Sequence, residues 1–429
     1  MPAPLASTGR CTPLAGGGQT ATCIGTRKPL LYTFVHIPAA PCVVMGKDGL
    51  MFRAEEPLAD YRPRPAPLFQ PSRIVLAKGS SRTGGRRRFT ERICAAYPEA
   101  EVDEALGTPH NRVDLGQSDP LRLHERGKQT LVLGEHRSAV RFSDEGGNAC
   151  PNYWHFSPYG FCPYGCHYCY LAGTQGVWFS PSVKIFLNLE EILAQVDRTA
   201  NQLARPTAFY LGKLQDGLAL EPLSGYARTM VPLFAQHPYA RMVILTKSAD
   251  VENLLDLDHA GRTILSWTVN APEVVRLCEV NTPGVTARLD AMRRCAQAGY
   301  PVRAVLMPIL PVGDWRETYG RFMVTLLESV PLSRITLGSI CSYPQALRLM
   351  ERKLGRQNAI STLLASGPAK SDDGRLRFSR STREEVYRHL VECVRRQRPE
   401  LEIGLCLEDE AMFAVLDLTR SMGRCNCVL

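Results

Sequence analysis

The sequence has 429 residues, and its 51 Lys and Arg against 42 Asp and Glu give a formal net charge of +9. An apolar content of 45% and a charged content of 22% are typical of a soluble globular protein. The chain has no run of about 18 apolar residues and does not open on a basic segment followed by an apolar one. We therefore expect no transmembrane helix, no signal peptide and a cytoplasmic location.

The charge and the cysteine content narrow the possible partners. A net positive charge suits an anionic partner such as a nucleotide or a nucleic acid, although an arginine-rich background composition gives the same balance without a binding role. The 15 cysteines are odd in number and scattered along the chain. Without an export signal, this pattern favours metal binding or catalysis over a disulfide framework.

The first part of the chain changes character near residue 72. Residues 1–71 are rich in Pro, Gly and Ala, and we predict an irregular extension there, with one short ordered piece at residues 30–36. Residues 72–150 are predicted to form a small α/β domain. Its predicted elements are strands at residues 73–77 and 130–134 and a helix that begins within the basic stretch 82–92. The arginines at positions 86–88 either contact phosphates or belong to a solvated loop.

Three cysteines lie close together in residues 161–170, FCPYGCHYCY, with a CxxxCxxC spacing. Thiolates on such a short turn can converge on one metal centre, so Cys162, Cys166 and Cys169 are predicted metal ligands. Three ligands leave one iron of a 4Fe–4S cluster open for a substrate or cofactor. A structural zinc ion instead needs a fourth ligand, for which His167 is the nearest candidate. Buried or disulfide-linked cysteines are the remaining alternative.

Strands and helices alternate after the cysteine motif, which predicts a parallel sheet covered by helices. We count about six strand–helix units, fewer than the roughly eight of a complete TIM barrel. The predicted strands are residues 183–187, 207–211, 242–246, 262–269, 302–306, 334–337 and 402–407. The predicted helices are residues 188–203, 223–236, 251–257, 282–299, 318–329 and 382–396, with capping boxes made by Asn188 with Glu191 and by Ser381 with Glu384. Glu279 and Arg288 flank the start of the fourth helix and are predicted to form a structural ion pair.

The cysteine spacing and the aromatic residue after the third cysteine resemble the radical S-adenosylmethionine (SAM) enzymes. From about residue 72 to residue 407 the chain is similar to one group of them, the spore photoproduct lyase family of DNA repair enzymes. The matching segments are TLVLGEHR at 130–137, CHYCYLAGTQG at 166–176, KIFLNLEEILAQ at 184–195, LTK at 245–247, TVN at 268–270 and AGYPVRAVLMPI at 298–309. Because these segments are spread widely, the resemblance is far more specific than a three-cysteine match.

The resemblance implies a fold and two cofactors. The implied fold is a partial (β/α)6 radical SAM barrel over residues 151–345, with the small α/β domain and the irregular extension before it and a C-terminal part of the family core over residues 346–407. The implied cofactors are a 4Fe–4S cluster on the three cysteines and SAM, which the open iron chelates. One electron from the cluster breaks a C–S bond of SAM and releases a 5′-deoxyadenosyl radical, so a reductant such as flavodoxin or ferredoxin is an implied partner.

Five SAM-contact positions carry over from the family. Tyr170 is expected to lie against the adenine, and Lys247 to pair with the SAM carboxylate, where a fixed positive charge is chemically sensible. Thr268 replaces the family's serine and keeps its hydroxyl. Asn270 is expected to hydrogen-bond the ribose or the methionyl part, and Met307 to pack on the adenine. For each residue taken alone, a purely structural role is the alternative.

The chain departs from the family pattern at the hydrogen-atom donor. The lyases carry a donor cysteine just after the strand that corresponds to residues 207–211, and here Lys213 takes that place, with Asp216 nearby. Lysine does not readily donate a hydrogen atom to a carbon radical because its N–H bond is too strong. Lys213 and Asp216 are therefore candidates for binding a polar or phosphorylated substrate, the alternative being a surface pair at a strand end.

The second departure is a tail, residues 408–429, which ends in SMGRCNCVL and is expected to be flexible. Its Cys425 and Cys427 admit three interpretations. Either thiol can be the missing hydrogen-atom donor, folded back over the barrel mouth, because S–H bonds are weak. The two can ligate a second metal or iron–sulfur centre with Cys406 or Cys341, or supply sulfur. They can also be idle surface thiols, although exposed idle cysteines are a liability.

These predictions lead to three hypotheses of function. The first is a radical SAM enzyme that abstracts hydrogen from a nucleoside, a nucleotide or a similar anionic small molecule, followed by epimerisation, rearrangement or sulfur insertion. The second is repair of a DNA photoproduct with a relocated thiol donor, which requires extrusion of the lesion and a basic rim. The third is a non-catalytic iron–sulfur or zinc module. A wide basic groove at the barrel mouth favours DNA, and a pocket capped by the tail favours a small molecule.

Overall fold

The computed structural model describes residues 58, 60–144, 146–174, 177, 180–371 and 374–429. The ordered piece predicted at residues 30–36 and most of the predicted irregular extension lie outside these residues. Between residues 60 and 71 the chain forms no helix or strand. None of the helices in the described ranges has the length and apolar character needed to cross a bilayer.

Sixteen strands and twelve helices organise the described chain. The strands are β1 (Arg73–Leu76), β2 (Glu101–Glu104), β3 (Thr130–Gly134), β4 (Val140–Ser143), β5 (Tyr153–Phe156), β6 (Tyr159–Gly160), β7 (Val183–Phe186), β8 (Thr207–Leu211), β9 (Ala240–Thr246), β10 (Thr263–Thr268), β11 (Val302–Ile309), β12 (Arg334–Ser339), β13 (Cys341–Ser342), β14 (Ala369–Lys370), β15 (Leu376–Arg377) and β16 (Glu402–Leu405). The helices are α1 (Gly84–Ala95), α2 (Pro120–Lys128), α3 (Leu189–Leu203), α4 (Glu221–Ser224), α5 (Ala227–Gln236), α6 (Pro272–Cys278), α7 (Val285–Gln297), α8 (Trp315–Ser329), α9 (Pro344–Leu354), α10 (Ala359–Ala365), α11 (Arg380–Gln397) and α12 (Glu410–Val415).

The large sheet has the strand order β16-β12-β11-β10-β9-β8-β5-β4. All neighbours in it are parallel except β4, which is antiparallel to β5. The predicted strands β8 to β12 and β16 confirm a parallel core. The strand predicted at residues 183–187, however, is β7 and lies in a smaller sheet. Its place in the large sheet is taken by β5, which the sequence did not predict. The two edge strands do not pair with each other, so the sheet in the described part of the chain is open.

A smaller sheet has the order β2-β1-β3-β7-β6, and a three-stranded antiparallel sheet joins β13, β15 and β14. Near the cysteine motif, the order of the strands along the chain does not follow their division between the two larger sheets. β4 precedes residue 150 but belongs to the large sheet, whereas β7 follows the motif and belongs to the small sheet. The predicted boundary at residue 150 therefore does not coincide with a division between the sheets. The other domain boundaries stay a prediction.

Several predicted elements differ from the observed ones for local reasons. The helix predicted at residues 251–257 is wrong, because the segment forms turns whose bonds run from Leu254 N to Val251 O and from Leu257 N to Leu254 O. The helix predicted at 223–236 is divided by Gly225, whose φ of +65° ends α4 before α5 begins.

The two predicted capping boxes are also wrong. The Asn188 side chain makes no cap hydrogen bond to α3, because its amide oxygen accepts from His136 N at 2.9 Å. Its amide nitrogen donates to Glu191 and to the carbonyl of His136 at 3.1 Å. In α11 the cap is Ser379, which accepts from Thr382 N, rather than Ser381. A side chain that satisfies a neighbouring loop is unavailable to its own helix.

The C-terminal tail is not flexible as predicted but packs on the inner face of the large sheet. Two buried arginines hold it there. Arg334 donates from Nη1 to Cys425 O at 2.9 Å and from Nη2 to Leu429 O at 3.1 Å, and Arg303 donates to Val428 O at 2.6 Å. Buried guanidinium groups require acceptors, and the tail carbonyls provide them.

A single methyl group on β16 is expected to disturb the tail. A Cβ added at Gly404 would lie 2.4 Å from the carbonyl oxygen of Arg424, and neither backbone can easily move. The substitution Gly404→Ala should therefore lower the free energy of unfolding by about 1–3 kcal/mol. The matched control is Gly320→Ala in α8, where a Cβ meets nothing within 4 Å and should be neutral or stabilising. Equal denaturant midpoints for the two variants would contradict the packing of the tail.

Candidate active site

The cysteine motif forms a loop after β6 that is fastened to the residues following α6. Gly165 N donates to Val280 O at 2.9 Å, and His167 N donates to Cys278 O at 2.7 Å. A Cβ at Gly165 would lie 2.9 Å from the same Val280 oxygen, so only glycine allows this approach. The motif is thereby held against the end of the large sheet that carries the carboxyl termini of its parallel strands.

Cys162, Cys166 and Cys169 line one cavity of about 180 Å³. The rest of its wall comes from the carboxyl ends of β8 to β12 and the loops that follow them. Ligands in parallel α/β folds bind at this end of the strands. The cavity wall includes Tyr170, Lys247, Thr268 and Met307, four of the five predicted SAM contacts.

The three thiols fit an iron–sulfur cluster better than a single ion. In the described ranges no three His, Cys, Asp or Glu side chains are arranged to hold one metal ion. A cluster binds each thiolate through a different iron, so it requires thiols that face a common space rather than a common point. His167 lines a separate cavity beside Lys128 and Lys353, so it is not placed as the fourth ligand of a zinc ion.

Without metal, burial holds the thiols of Cys162 and Cys166 in their protonated form. Burial raises the pKa of Cys162 well above its usual range and raises that of Cys166 to about 11. A metal centre must therefore displace thiol protons on binding, as metal thiolates generally do. Lys128 offsets part of this cost, because its positive charge favours the thiolate of Cys162. Its ammonium group is held nearby, where it donates to Cys162 O and lies 4.0 Å from the Phe161 ring centroid.

Lys247 places a buried positive charge in the cavity wall. Burial disfavours its ammonium form, but the neighbouring Cys166, Glu279 and Asp216 outweigh burial and hold the pKa of Lys247 above its ordinary value. Its Nζ lies 5.8 Å from the Tyr168 ring centroid. A charged lysine in an enclosed cavity with apolar walls is suited to bind a carboxylate.

Asp216 lines the cavity but uses its carboxylate to hold the chain. It accepts from Thr246 Oγ1 at 2.6 Å, Lys247 N at 2.7 Å, Ala219 N at 2.9 Å and Leu218 N at 3.0 Å. With these four bonds the carboxylate fixes the backbone that carries Lys247. We therefore assign Asp216 a positioning role in place of the predicted substrate contact.

Lys213 does not line the cavity with Asp216. Its Nζ donates to Ser143 Oγ and lies 5.2 Å from the Tyr153 ring centroid. Its carbonyl accepts from the Tyr170 hydroxyl, so the segment that replaces the donor cysteine supports an aromatic wall of the cavity. The structure does not bring the predicted pair together for substrate binding.

Asn270 is the predicted SAM contact that lies away from the cavity. It is fully buried, donates from Nδ2 to Pro308 O at 2.8 Å and accepts from the Tyr319 hydroxyl at 2.8 Å and Ala271 N at 3.0 Å. The predicted contact of Asn270 with SAM stays a prediction, because the residue does not line the cavity in the structure. Asn270 instead fixes the turn after β10 to the end of β11.

The predicted ion pair of Glu279 and Arg288 is confirmed and lies directly behind the site. Arg288 Nη2 and Glu279 Oε2 are 2.5 Å apart, and both side chains are completely buried. Glu279 accepts from the Tyr168 hydroxyl, and Arg288 donates to Thr268 O at 3.1 Å. The pair thus joins the cysteine loop to the carboxyl end of β10.

Cys425 and Cys427 do not line the cavity. Cys150 is hydrogen-bonded to Cys406 and Cys425, and Cys425 to Cys427; we call these four residues the four-thiol group. Sequence reasoning proposed Cys406 as a partner of the tail but missed Cys150, because nothing in its local sequence distinguishes it. Sequence reasoning also missed that Cys341 lines the cavity with the cluster cysteines.

A second and more basic cavity of about 460 Å³ lies beside the first. Phe161 and Leu214, the neighbours of Cys162 and Lys213, form part of its wall, and the charged residues in it are Lys78, Glu135, Arg137, Arg141 and Lys184. Burial lowers the pKa of Lys184 to about 7 and, with Lys184 nearby, that of His110 to about 4. This cavity has an excess of positive charge next to the cysteine loop.

Comparison with known proteins agrees with the site. A family model described as spore photoproduct lyase matches residues 86–338. The curated spore photoproduct lyase of Bacillus subtilis is 29% identical over 227 residues, which are 52% of this chain and 64% of that protein. That of a Geobacillus species is 30% identical over 235 residues, 53% of this chain and 67% of that protein. The chain thus spans about two thirds of the length of these relatives.

Solved structures have the same fold. A spore photoproduct lyase complexed with dinucleoside spore photoproduct superimposes with a TM-score of 0.68 at 22% identity, covering 79% of this chain and 98% of that one. A variant of spore photoproduct lyase with bound AdoMet and dinucleoside spore photoproduct gives the same values. At this identity the likeness concerns the fold.

Proposed function

The chain belongs to the spore photoproduct lyase family, and from that premise we propose that it is a radical SAM enzyme acting on a nucleotide-type substrate. The observation that carries the proposal is the shared cavity, in which the three cysteines of the motif meet Lys247, Thr268 and Met307. A metal module without a cofactor would not require these side chains beside the thiols. We therefore set the non-catalytic hypothesis aside.

We assign the cluster to Cys162, Cys166 and Cys169, and SAM to the adjoining wall. A 4Fe–4S cluster with SAM supplies, when bound, a 5′-deoxyadenosyl radical that abstracts hydrogen from an unactivated C–H bond. Lys247 binds the carboxylate of SAM, while Tyr170 and Met307 enclose its adenine. Thr268 offers a hydroxyl to the polar part of the cofactor. The apolar walls keep water from the reacting atoms.

Removing the charge of Lys247 is expected to weaken SAM binding. The substitution Lys247→Met keeps the length of the side chain but loses the charge-assisted bond, which is worth about 1.5–3 kcal/mol. The dissociation constant for SAM should rise at least about 10-fold by calorimetry of the reconstituted protein. The control Lys370→Met changes an exposed lysine on β14 and should bind SAM normally. An unchanged affinity in Lys247→Met would contradict the assigned orientation of SAM.

The substrate class follows from charge as well as from family. The basic cavity adjoins the cysteine loop through Phe161, and Lys78 and Arg141 face it. Phosphate groups are suited to such a site, so we propose a nucleotide or nucleoside-like anion as the substrate. Incubating reconstituted protein, SAM and dithionite with separate nucleotides and with ultraviolet-irradiated oligonucleotides tests this proposal. If none of these additions increased the amount of 5′-deoxyadenosine, the proposal would be contradicted.

Repair of a DNA photoproduct is the second candidate, and one observation favours it. One relative with a solved structure is a spore photoproduct lyase complexed with dinucleoside spore photoproduct. In this chain Cys341 lines the SAM cavity, whereas Cys425 and Cys427 do not. If a thiol returns hydrogen to the product, Cys341 is the better placed donor, because a hydrogen atom must pass between atoms in contact.

Isotope transfer distinguishes the two sites. In deuterated buffer, a product that receives hydrogen from a thiol acquires deuterium, since thiols exchange with solvent. We expect Cys341→Ala to abolish this incorporation and the Cys425→Ala, Cys427→Ala double variant to retain it. Loss of deuterium only in the double variant would restore the tail thiols as donors. Flavodoxin or ferredoxin as the reductant and a cytoplasmic location stay predictions.

A further inference from the structure

The four-thiol group collects cysteines from three separate parts of the chain. Cys150 lies between β4 and β5, Cys406 directly follows β16, and Cys425 and Cys427 come from the tail. β4 and β16 are the two edges of the open sheet. The edges approach each other at this point, because Ala149 N donates to Glu408 O at 2.8 Å and Leu407 N donates to Cys150 Sγ at 3.2 Å.

The four thiols are buried or partly buried, unlike thiols that are exposed on a protein surface. Cys425 is 4% exposed, and the other three are at most half-exposed. The Cys427 side chain packs against an apolar cluster that includes Tyr153 and Tyr210. The Arg334 guanidinium donates to Cys425 O at 2.9 Å and so holds the backbone that carries this thiol. The tail backbone is thus fixed in a position that presents the Cys425 thiol to Cys150, and Cys427 is in turn bonded to Cys425.

Backbone contacts bring together the parts of the chain that carry these cysteines. A Cβ added at Gly404, two residues before Cys406, would lie 2.4 Å from the carbonyl oxygen of Arg424, which precedes Cys425. The tail and β16 are therefore in close contact where Cys406 and Cys425 lie. Several thiols held near one another on fixed backbone are a ligand set suited to a thiophilic metal.

We propose that Cys150, Cys406, Cys425 and Cys427 bind a thiophilic metal centre, either a Zn²⁺ ion or an iron–sulfur cluster, through four thiolates. Four sulfur ligands around a tetrahedral centre are typical of both. In the described ranges no three thiols surround one point. Metal binding therefore requires the four thiols to turn toward a common centre and to release their protons. The centre would fasten the two sheet edges and the tail together.

This inference does not rest on the proposed radical chemistry. The four-thiol group lies outside the SAM cavity and includes none of its cysteines. A protein that cleaves SAM but lacks the second centre, or holds the second centre but does not cleave SAM, is therefore possible. A negative result for metal binding by the four-thiol group therefore does not count against SAM cleavage, and a negative result for SAM cleavage does not count against metal binding.

The direct experiment measures metal in a full-length protein that lacks the first site. The chain carrying Cys162→Ala, Cys166→Ala and Cys169→Ala is loaded anaerobically with ZnCl₂, or with iron and sulfide, and desalted before elemental analysis. We expect one equivalent of zinc, or one iron–sulfur cluster, to remain. Adding Cys150→Ser, or Cys425→Ser with Cys427→Ser, should reduce the retained metal to background. Adding Cys393→Ser, a half-buried thiol of α11, should leave it unchanged.

A second measurement covers the case in which the serine variants fail to fold. The wild-type chain is melted with and without a chelator that strips zinc, or after oxidative loss of iron. A fall in melting temperature in the loaded wild type, absent in the Cys427→Ser chain, supports the proposal. Retained zinc supports a mononuclear site, and retained iron with sulfide supports a cluster. The proposal is overturned if no metal is retained. It is also overturned if the mass of the loaded protein shows a disulfide among the four cysteines.

Discussion

Replacing Cys166 with alanine is expected to abolish the reductive cleavage of SAM. Cys166 is one of three thiols that face the cavity, and its neighbours Gly165 and His167 are held by backbone hydrogen bonds to residues 280 and 278. Without it only two ligands remain, and a 4Fe–4S cluster with an open iron requires three. Bound iron should fall sharply, and 5′-deoxyadenosine should not exceed the amount formed without protein.

The control for this prediction is Cys295→Ala. Cys295 is a fully buried cysteine of α7 that does not line the cavity, so its loss removes a thiol and a similar volume of core without touching the site. The control should bind iron and cleave SAM as the wild type does. If Cys166→Ala kept the cluster absorbance and activity of the control, the assignment of the three ligands would be wrong.

Replacing Arg288 with methionine is expected to destabilise the protein by about 3–5 kcal/mol, because it leaves the Glu279 carboxylate buried without its partner. The loss should extend to the site, since Glu279 accepts from Tyr168 and Arg288 donates to Thr268 O. Urea unfolding of the metal-free chain measures the change in free energy. Arg293→Met is the control, because Arg293 pairs with Asp290 on the exposed side of α7, where such pairs are worth about 0–1 kcal/mol.

A double variant separates charge from packing. Glu279→Leu with Arg288→Met removes both charges, and replacing a buried pair by apolar residues is often neutral or stabilising. We expect it to recover most of the stability lost in Arg288→Met but not the affinity for SAM, because the bonds to Tyr168 and Thr268 remain lost. If Arg288→Met unfolded at the same denaturant concentration as Arg293→Met, the pair would have no structural role.

The parts of the fold that are periodic in sequence could be predicted. β3 and β8 have their predicted bounds because each is a short apolar run between polar residues, and α8 follows its hydrophobic spacing. The cysteine spacing identified one wall of the cavity, and the family resemblance identified Lys247 at the end of the predicted strand 242–246 as part of another. These signals are local, so one sequence is enough to read them.

The parts that depend on distant partners could not be predicted. Asn270 is of a residue type that often contacts ligands, but here it is hydrogen-bonded to Pro308 O and to the Tyr319 hydroxyl. Only the folded sheet brings these partners near. The tail has the composition of a free end, yet Arg303 and Arg334 need its carbonyls. Cys150 has no partner within its own segment, and its neighbours come from β16 and the tail.

The central claim is that three thiols and a lysine in one cavity bind a cluster and SAM for radical generation. Anaerobic reconstitution of the wild-type chain with iron and sulfide, followed by SAM and dithionite, tests it most directly. The account predicts 5′-deoxyadenosine that depends on both dithionite and the cluster. A protein with Cys162, Cys166 and Cys169 intact and iron bound that forms no 5′-deoxyadenosine would contradict it.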